Sequence, residues 1–139
     1  AYPTAIASDY YVMGVGGSVT YGATRAIRIN GNYWSCVTYG SGTEDYNSIV
    51  AATANIWQHV AFVWNGTTVN FYLNGTLYST TRSGMVTPTS TNLSIGCPPW
   101  SLGGAGWPGK LACIRAYERS LSTTEVQNIY NNTRKRFNV

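Results

Sequence analysis

From Trp57 to Thr81 the pattern of apolar and polar positions is at its clearest. Trp57-Gln58-His59-Val60-Ala61-Phe62-Val63-Trp64 is apolar on both sides of an alternating backbone, the mark of a strand inside a sandwich core. Asn65-Gly66 follows, then Thr67 to Leu73, where Val69, Phe71 and Leu73 share a face. Asn74-Gly75 follows in turn, then Thr76 to Thr81. Asn-Gly is the preferred pair for a type I′ hairpin, whose central residues both need positive φ. The pattern therefore predicts a three-stranded meander.

The first half alternates less strictly. Tyr10 to Met13 reads as a strand ended by Gly14-Val15-Gly16-Gly17. Ala26, Arg28 and Asn30 oppose Ile27 and Ile29, Gly31-Asn32 is a turn signal, and Tyr33 to Tyr39 is the returning strand. Gly40 to Asn47 reads as a polar loop, Leu93 to Gly96 as a short strand, and Cys97 to Gly109 as an irregular loop. Lys110 to Tyr117 is again a strand with apolar groups on both sides. A single helix closes the pattern. Ser122-Thr123-Thr124-Glu125 is a capping box, Leu121 and Val126 sit at staple positions, and Val126, Ile129 and Tyr130 form a stripe. Its end is expected near Asn131-Asn132.

Composition supports an all-β reading. Among 139 residues, 44% are hydrophobic, 14% aromatic and only 10% charged, with fifteen glycines for turns. Disorder requires the opposite balance. The length suits one domain, 1–139. The net charge of +4 is concentrated at Arg134-Lys135-Arg136, which suits a helix C-terminus better than a nucleic-acid stripe. No run of about 20 apolar residues is present to span a membrane. Beginning at Ala1 rather than Met, the chain reads as processed or as a segment of a longer one. Three cysteines, Cys36, Cys97 and Cys113, cannot form a closed disulfide set and read as buried thiols, with a Cys97–Cys113 bridge as the lesser reading.

These elements carry a resemblance. Trp57-Gln58-His59-Val60-Ala61, Trp64-Asn65-Gly66 and Val69 to Gly75 resemble the signature of laminin-G-like, concanavalin A-like jelly rolls. Gly109-Lys110-Leu111, Ile114 to Tyr117, Arg119 to Ser122 and Glu125-Val126 resemble that family's closing element. The resemblance implies an antiparallel two-sheet jelly-roll sandwich with one short C-terminal helix. The chain is short for that fold, so an N-terminal strand is missing or supplied by a partner through strand addition. The run from Asn128 to Phe137 is similar to tails of such domains in tailed-phage virion proteins.

The resemblance further implies a non-enzymatic surface recognition or structural module. A virion decoration or fibre domain, adhesive or carbohydrate-binding, comes first, placed on a virion surface or outside a cell. Its partners would be itself, another virion or surface protein, or a glycan. A secreted lectin domain of a cell is the second reading, and a glycoside hydrolase the third.

The chemistry on offer is thin. His59 is the one histidine and reads as a core or sheet-face residue. A glycosidase needs two carboxylates flanking a cleft. Here Glu44 and Asp45 are adjacent, Glu118 and Glu125 belong to the helix approach, and Asp9 stands apart. Glu44, Asp45 and Asn47 are the only cluster that suits calcium, with solvated loop charges as the competing reading. Trp100 and Trp107 lie in the Pro- and Gly-rich loop, where they plug the core, meet a partner or stack on a sugar. Tyr39 and Tyr46 are candidates for the same surface. Asn65, Asn74, Asn92 and Asn131 head N-x-S/T sequons.

Overall fold

The computed structural model describes residues 1–16, 24–39, 44–46, 48–66, 68–81, 92–101 and 105–139. At 38–39, 44–46 and 79–81 it describes the backbone. Among these residues the chain builds a larger and a smaller antiparallel sheet, one two-stranded pair and one helix.

The larger sheet grows from a hairpin. Arg25–Asn30 (β3) and Tyr33–Tyr39 (β4) pair in continuous register, joined by Gly31 and Asn32 at φ 51° and 75°. Both signs match a type I′ turn. Tyr10–Val15 (β2) adds to β3 with a bulge between Tyr11 and Met13, and Leu93–Ile95 (β10) adds to β2. On the other side, Glu44–Tyr46 (β5) and Val50–Ala51 (β6) both pair with β4.

The smaller sheet is the expected meander, Val60–Trp64 (β7), Thr68–Leu73 (β8) and Thr76–Thr81 (β9). Tyr2–Pro3 (β1) pairs with Gly109–Lys110 (β11), tying the front of the chain to the segment before the helix. Gly109 is required there, because a Cβ would run into the Tyr2 carbonyl oxygen.

The core lies between the two sheets. Ile29, Trp34 and Cys36 from the larger sheet meet Val69 and Phe71 from the smaller. Trp34 and Phe71 have no exposed surface, and the Trp34 indole donates to Gln58 Oε1 at 3.3 Å. Thr123–Phe137 (α1) covers the far side of the smaller sheet, where Val126 packs with Val63 and Tyr72. The capping box forms as expected. Ser122 Oγ accepts the Glu125 N–H at 3.2 Å, and Glu125 Oε2 accepts the Ser122 N–H at 2.8 Å. Leu121 joins the Val126 cluster, completing the staple.

Several expectations are corrected. Residues 57–59 lie outside the strand, because the Gln58 N–H bonds the Ala1 carbonyl and the His59 N–H bonds the Asn74 side chain. Lys110 to Tyr117 is not one strand, since its pairing ends at Lys110 and residues 113–119 are exposed. The polar stretch 40–47 contains β5, and its remainder lies outside the described residues.

The Asn74-Gly75 turn has both φ values positive, 50° and 77°. At the earlier turn Asn65 pairs with Thr68 and does not take positive φ, so Asn65-Gly66 is not the central pair of a type I′ turn. The helix continues past Asn131-Asn132 to Phe137, which packs on Trp57 with ring centroids 4.8 Å apart. All three cysteines are free, and only Cys36 is buried; Cys97 is half-buried and Cys113 exposed.

Candidate functional site

Strand alternation gives the larger sheet a second face, turned away from the core. Tyr11, Ala26 and Val37 form a small apolar cluster on it, with Trp100 packed against them. Arg28 sits in the same face with no exposed surface, beside Tyr11 and Ser35 in the strand register. A guanidinium sealed inside needs a fixed counter-charge. Asp9 supplies it, for Arg28 Nη1 donates to both Asp9 oxygens at 3.0 Å and to the Tyr11 hydroxyl at 3.2 Å. The Asp9 side chain remains 44% exposed. A carboxylate is thus held at the surface by a cation beneath it, with lone pairs left to accept from a ligand.

Trp100 stands edge-on to Tyr11, at 5.2 Å between centroids and 84° between planes. The described residues on either side of it are fastened by hydrogen bonds. Ser94 Oγ donates to the Cys97 carbonyl at 2.8 Å, the Tyr11 N–H to Ala105 at 3.3 Å, and the Trp107 N–H to Gly96 at 2.8 Å. Pro99 lies directly on β2, where a Cβ at Gly14 would come within 2.9 Å of the proline Cδ. The aromatic edge, the oriented carboxylate and the buried arginine therefore form one rigid patch.

Trp107 belongs elsewhere. It stacks on Trp34 at 5.9 Å and 22°, at the rim of the core, and its buried Nε1 has no hydrogen-bond partner. The structure therefore does not bring Trp100 and Trp107 into one aromatic platform. Tyr39 and Tyr46 lie on neighbouring strands, β4 and β5, and their side chains are outside the described ones. Glu44 and Asp45 fall in β5, likewise without described side chains, and Asn47 is outside the described residues. Among the described residues no three His, Cys, Asp or Glu side chains gather as metal ligands.

Sequence reading missed Asp9, Tyr11 and Arg28. Their one signal was an arginine at an alternating position whose neighbours are apolar. His59 is half-buried just before β7, against the Tyr130 ring at 5.7 Å. Burial, then the Ala1 amino group and Arg115, lower its pKa to about 4.

Residues 2–127 match the family model of the concanavalin A-like lectin/glucanases superfamily, in its laminin-G-like branch. No curated protein matches the chain. Among solved structures, it is similar to an S-layer domain-containing protein of Clostridium thermocellum (residues 221–444), with 18% identity and a TM-score of 0.46. That match covers 89% of this chain and 64% of the other. The match of the family model over nearly the whole chain, and the two facing antiparallel sheets, place the protein: it belongs to the concanavalin A-like lectin/glucanase superfamily.

Proposed function

We propose that the chain is a non-enzymatic recognition module that binds carbohydrate on the outer face of its larger sheet. The observation that carries this reading is the Asp9 carboxylate, fixed at the surface by fully buried Arg28 beside the Tyr11–Trp100 pair. A pyranose offers an apolar C–H face and a rim of hydroxyl donors. An aromatic ring takes the first and an ionised carboxylate the second. Family membership supports the same reading.

The described carboxylates favour binding over hydrolysis. Asp9 is engaged by Arg28, Glu125 by Arg119 and the helix cap, and Glu118 is exposed with no second carboxylate paired to it among the described residues. A virion is the surface favoured by the resemblance of Asn128 to Phe137 to the tails of such domains in tailed-phage virion proteins. There the module would decorate a shell or fibre and adhere through this patch.

A glycan array tests the carbohydrate reading. The wild-type chain should be retained by a defined set of glycans, and Trp100→Ala or Asp9→Asn should weaken retention by about tenfold, roughly 1.4 kcal/mol. The melting curve of each variant checks that the fold survives. No retention of the wild type, or equal retention of both folded variants, ends this reading.

A further inference from the structure

Among the described residues β7 is an edge of the smaller sheet, with one side unpaired. His59 pairs with Asn74 and Asn65 with Thr68 through backbone hydrogen bonds of 2.8 and 3.2 Å. Opposed residues in an antiparallel ladder alternate between bonded and non-bonded pairs. Ala61 and Val63 therefore bond to β8, while Val60, Phe62 and Trp64 turn their N–H and C=O groups outward. Among the described residues no strand pairs with that side of β7. Ser120 Oγ donates to the Trp64 carbonyl at its end, at 2.5 Å. The strand Val-Ala-Phe-Val-Trp also lacks the charges and prolines that usually guard an exposed edge.

A cleft of about 790 Å³ runs beside this edge. Met13, Val15 and Ile27 of the larger sheet line it, and Leu111 to Leu121 forms its far wall, with Ile114 37% and Tyr117 48% exposed. The cleft exists because the sheets differ in width. Among the described residues the smaller has three strands, against five along the main path of the larger. Leu93 and Ile95, opposite Val15 and Met13 in register, are left 52% and 51% exposed. One more strand beside β7 would satisfy the open backbone and extend the smaller sheet toward this uncovered half. The charged side chains lining the cleft are Arg25, Arg115 and Arg119 against Glu118.

We propose that the β7 edge receives an extended segment of a partner protein, apolar on one face and acidic on the other, which becomes the next strand of the smaller sheet. Main-chain hydrogen bonds supply affinity in such strand addition, and alternate side chains supply specificity. The acidic face answers Arg115, which is exposed on the far wall while Arg119 is held by Glu125 and Arg25 is buried, and the apolar face covers Met13, Val15 and Ile27. This site lies between the sheets rather than on the outer face, so its test is independent of the glycan reading.

The probe is a short capped peptide alternating valine and glutamate, beside a copy N-methylated at every amide so that neither edge can donate. Amide hydrogen exchange is read residue by residue by NMR. In the dilute free protein, Val60, Phe62 and Trp64 should exchange faster than Ala61 and Val63. The peptide should slow these three, the N-methylated copy should not bind, and Arg115→Glu should weaken binding by about tenfold.

Four results overturn the proposal. Slow exchange at all five amides in the dilute free protein means the chain's own residues cover the edge. Slowing that follows protein concentration without peptide means the occupant is a second copy. Failure of the peptide to slow the three amides, or equal binding of the N-methylated copy, removes main-chain addition.

Discussion

His59 shows how one side chain links acidity to folding. Its neutral form is favoured inside, so the folded pKa falls from 6.5 to about 4. Above about 6.5 both folded and unfolded chains hold it neutral, and its contribution to stability is fully present. As pH drops from 6.5 toward 4 the unfolded chain takes the proton first, and stability falls. His59→Gln removes this titration, so the variant's melting temperature should change less with pH across that window than the wild type's. Equal slopes for the two proteins would place the acid sensitivity elsewhere. Asp9 and Arg28 show the limit of reading residues singly. They lie 19 positions apart, and only the pairing of β2 with β3 brings them together.

Local chemistry made some elements legible and left others hidden. The Asn74-Gly75 turn and the capping box are written in adjacent residues, so both could be read directly. The helix end could not, because what extends it is tertiary. Phe137, in its last turn, packs on Trp57, far away in the chain, with ring centroids 4.8 Å apart. The stretch after Lys110 has a strand's alternation, but a strand also needs a neighbour, and no neighbour is written in its own residues. The cap has a measurable share in stability. Ser122→Ala should lower unfolding free energy by about 1 kcal/mol in urea titration, with the helix otherwise retained by circular dichroism. Glu125, held down to about 2 mainly by Arg119 and then Ser122, keeps its part of this cap above its ordinary 4.5 and gives it up as pH falls toward 2.

For the molecule as a whole, Trp34 is the keystone between layers. It touches Phe71 across the sandwich and Trp107 from the loop, and its indole N–H is tied to Gln58. Trp34→Ala should cost about 3–5 kcal/mol, a large part of the 5–15 typical of a domain. The urea midpoint should fall steeply, with near-ultraviolet circular dichroism lost in the same transition. A small shift would mean that the sheets are held together elsewhere. Sandwich architecture was readable from strand pattern and family signature. The unequal widths of the sheets were not, because width depends on which strands find partners.

The exposure of Cys113 has a practical consequence. Cys36 is sealed, with burial pushing its thiol pKa upward, and Cys97 is half-covered, so a thiol reagent meets Cys113 first. That sulfur stands on the far wall of the β7 cleft. A fluorophore or spin label attached there, without engineering the sequence, turns the chain into its own reporter for whatever enters the gap between its two sheets.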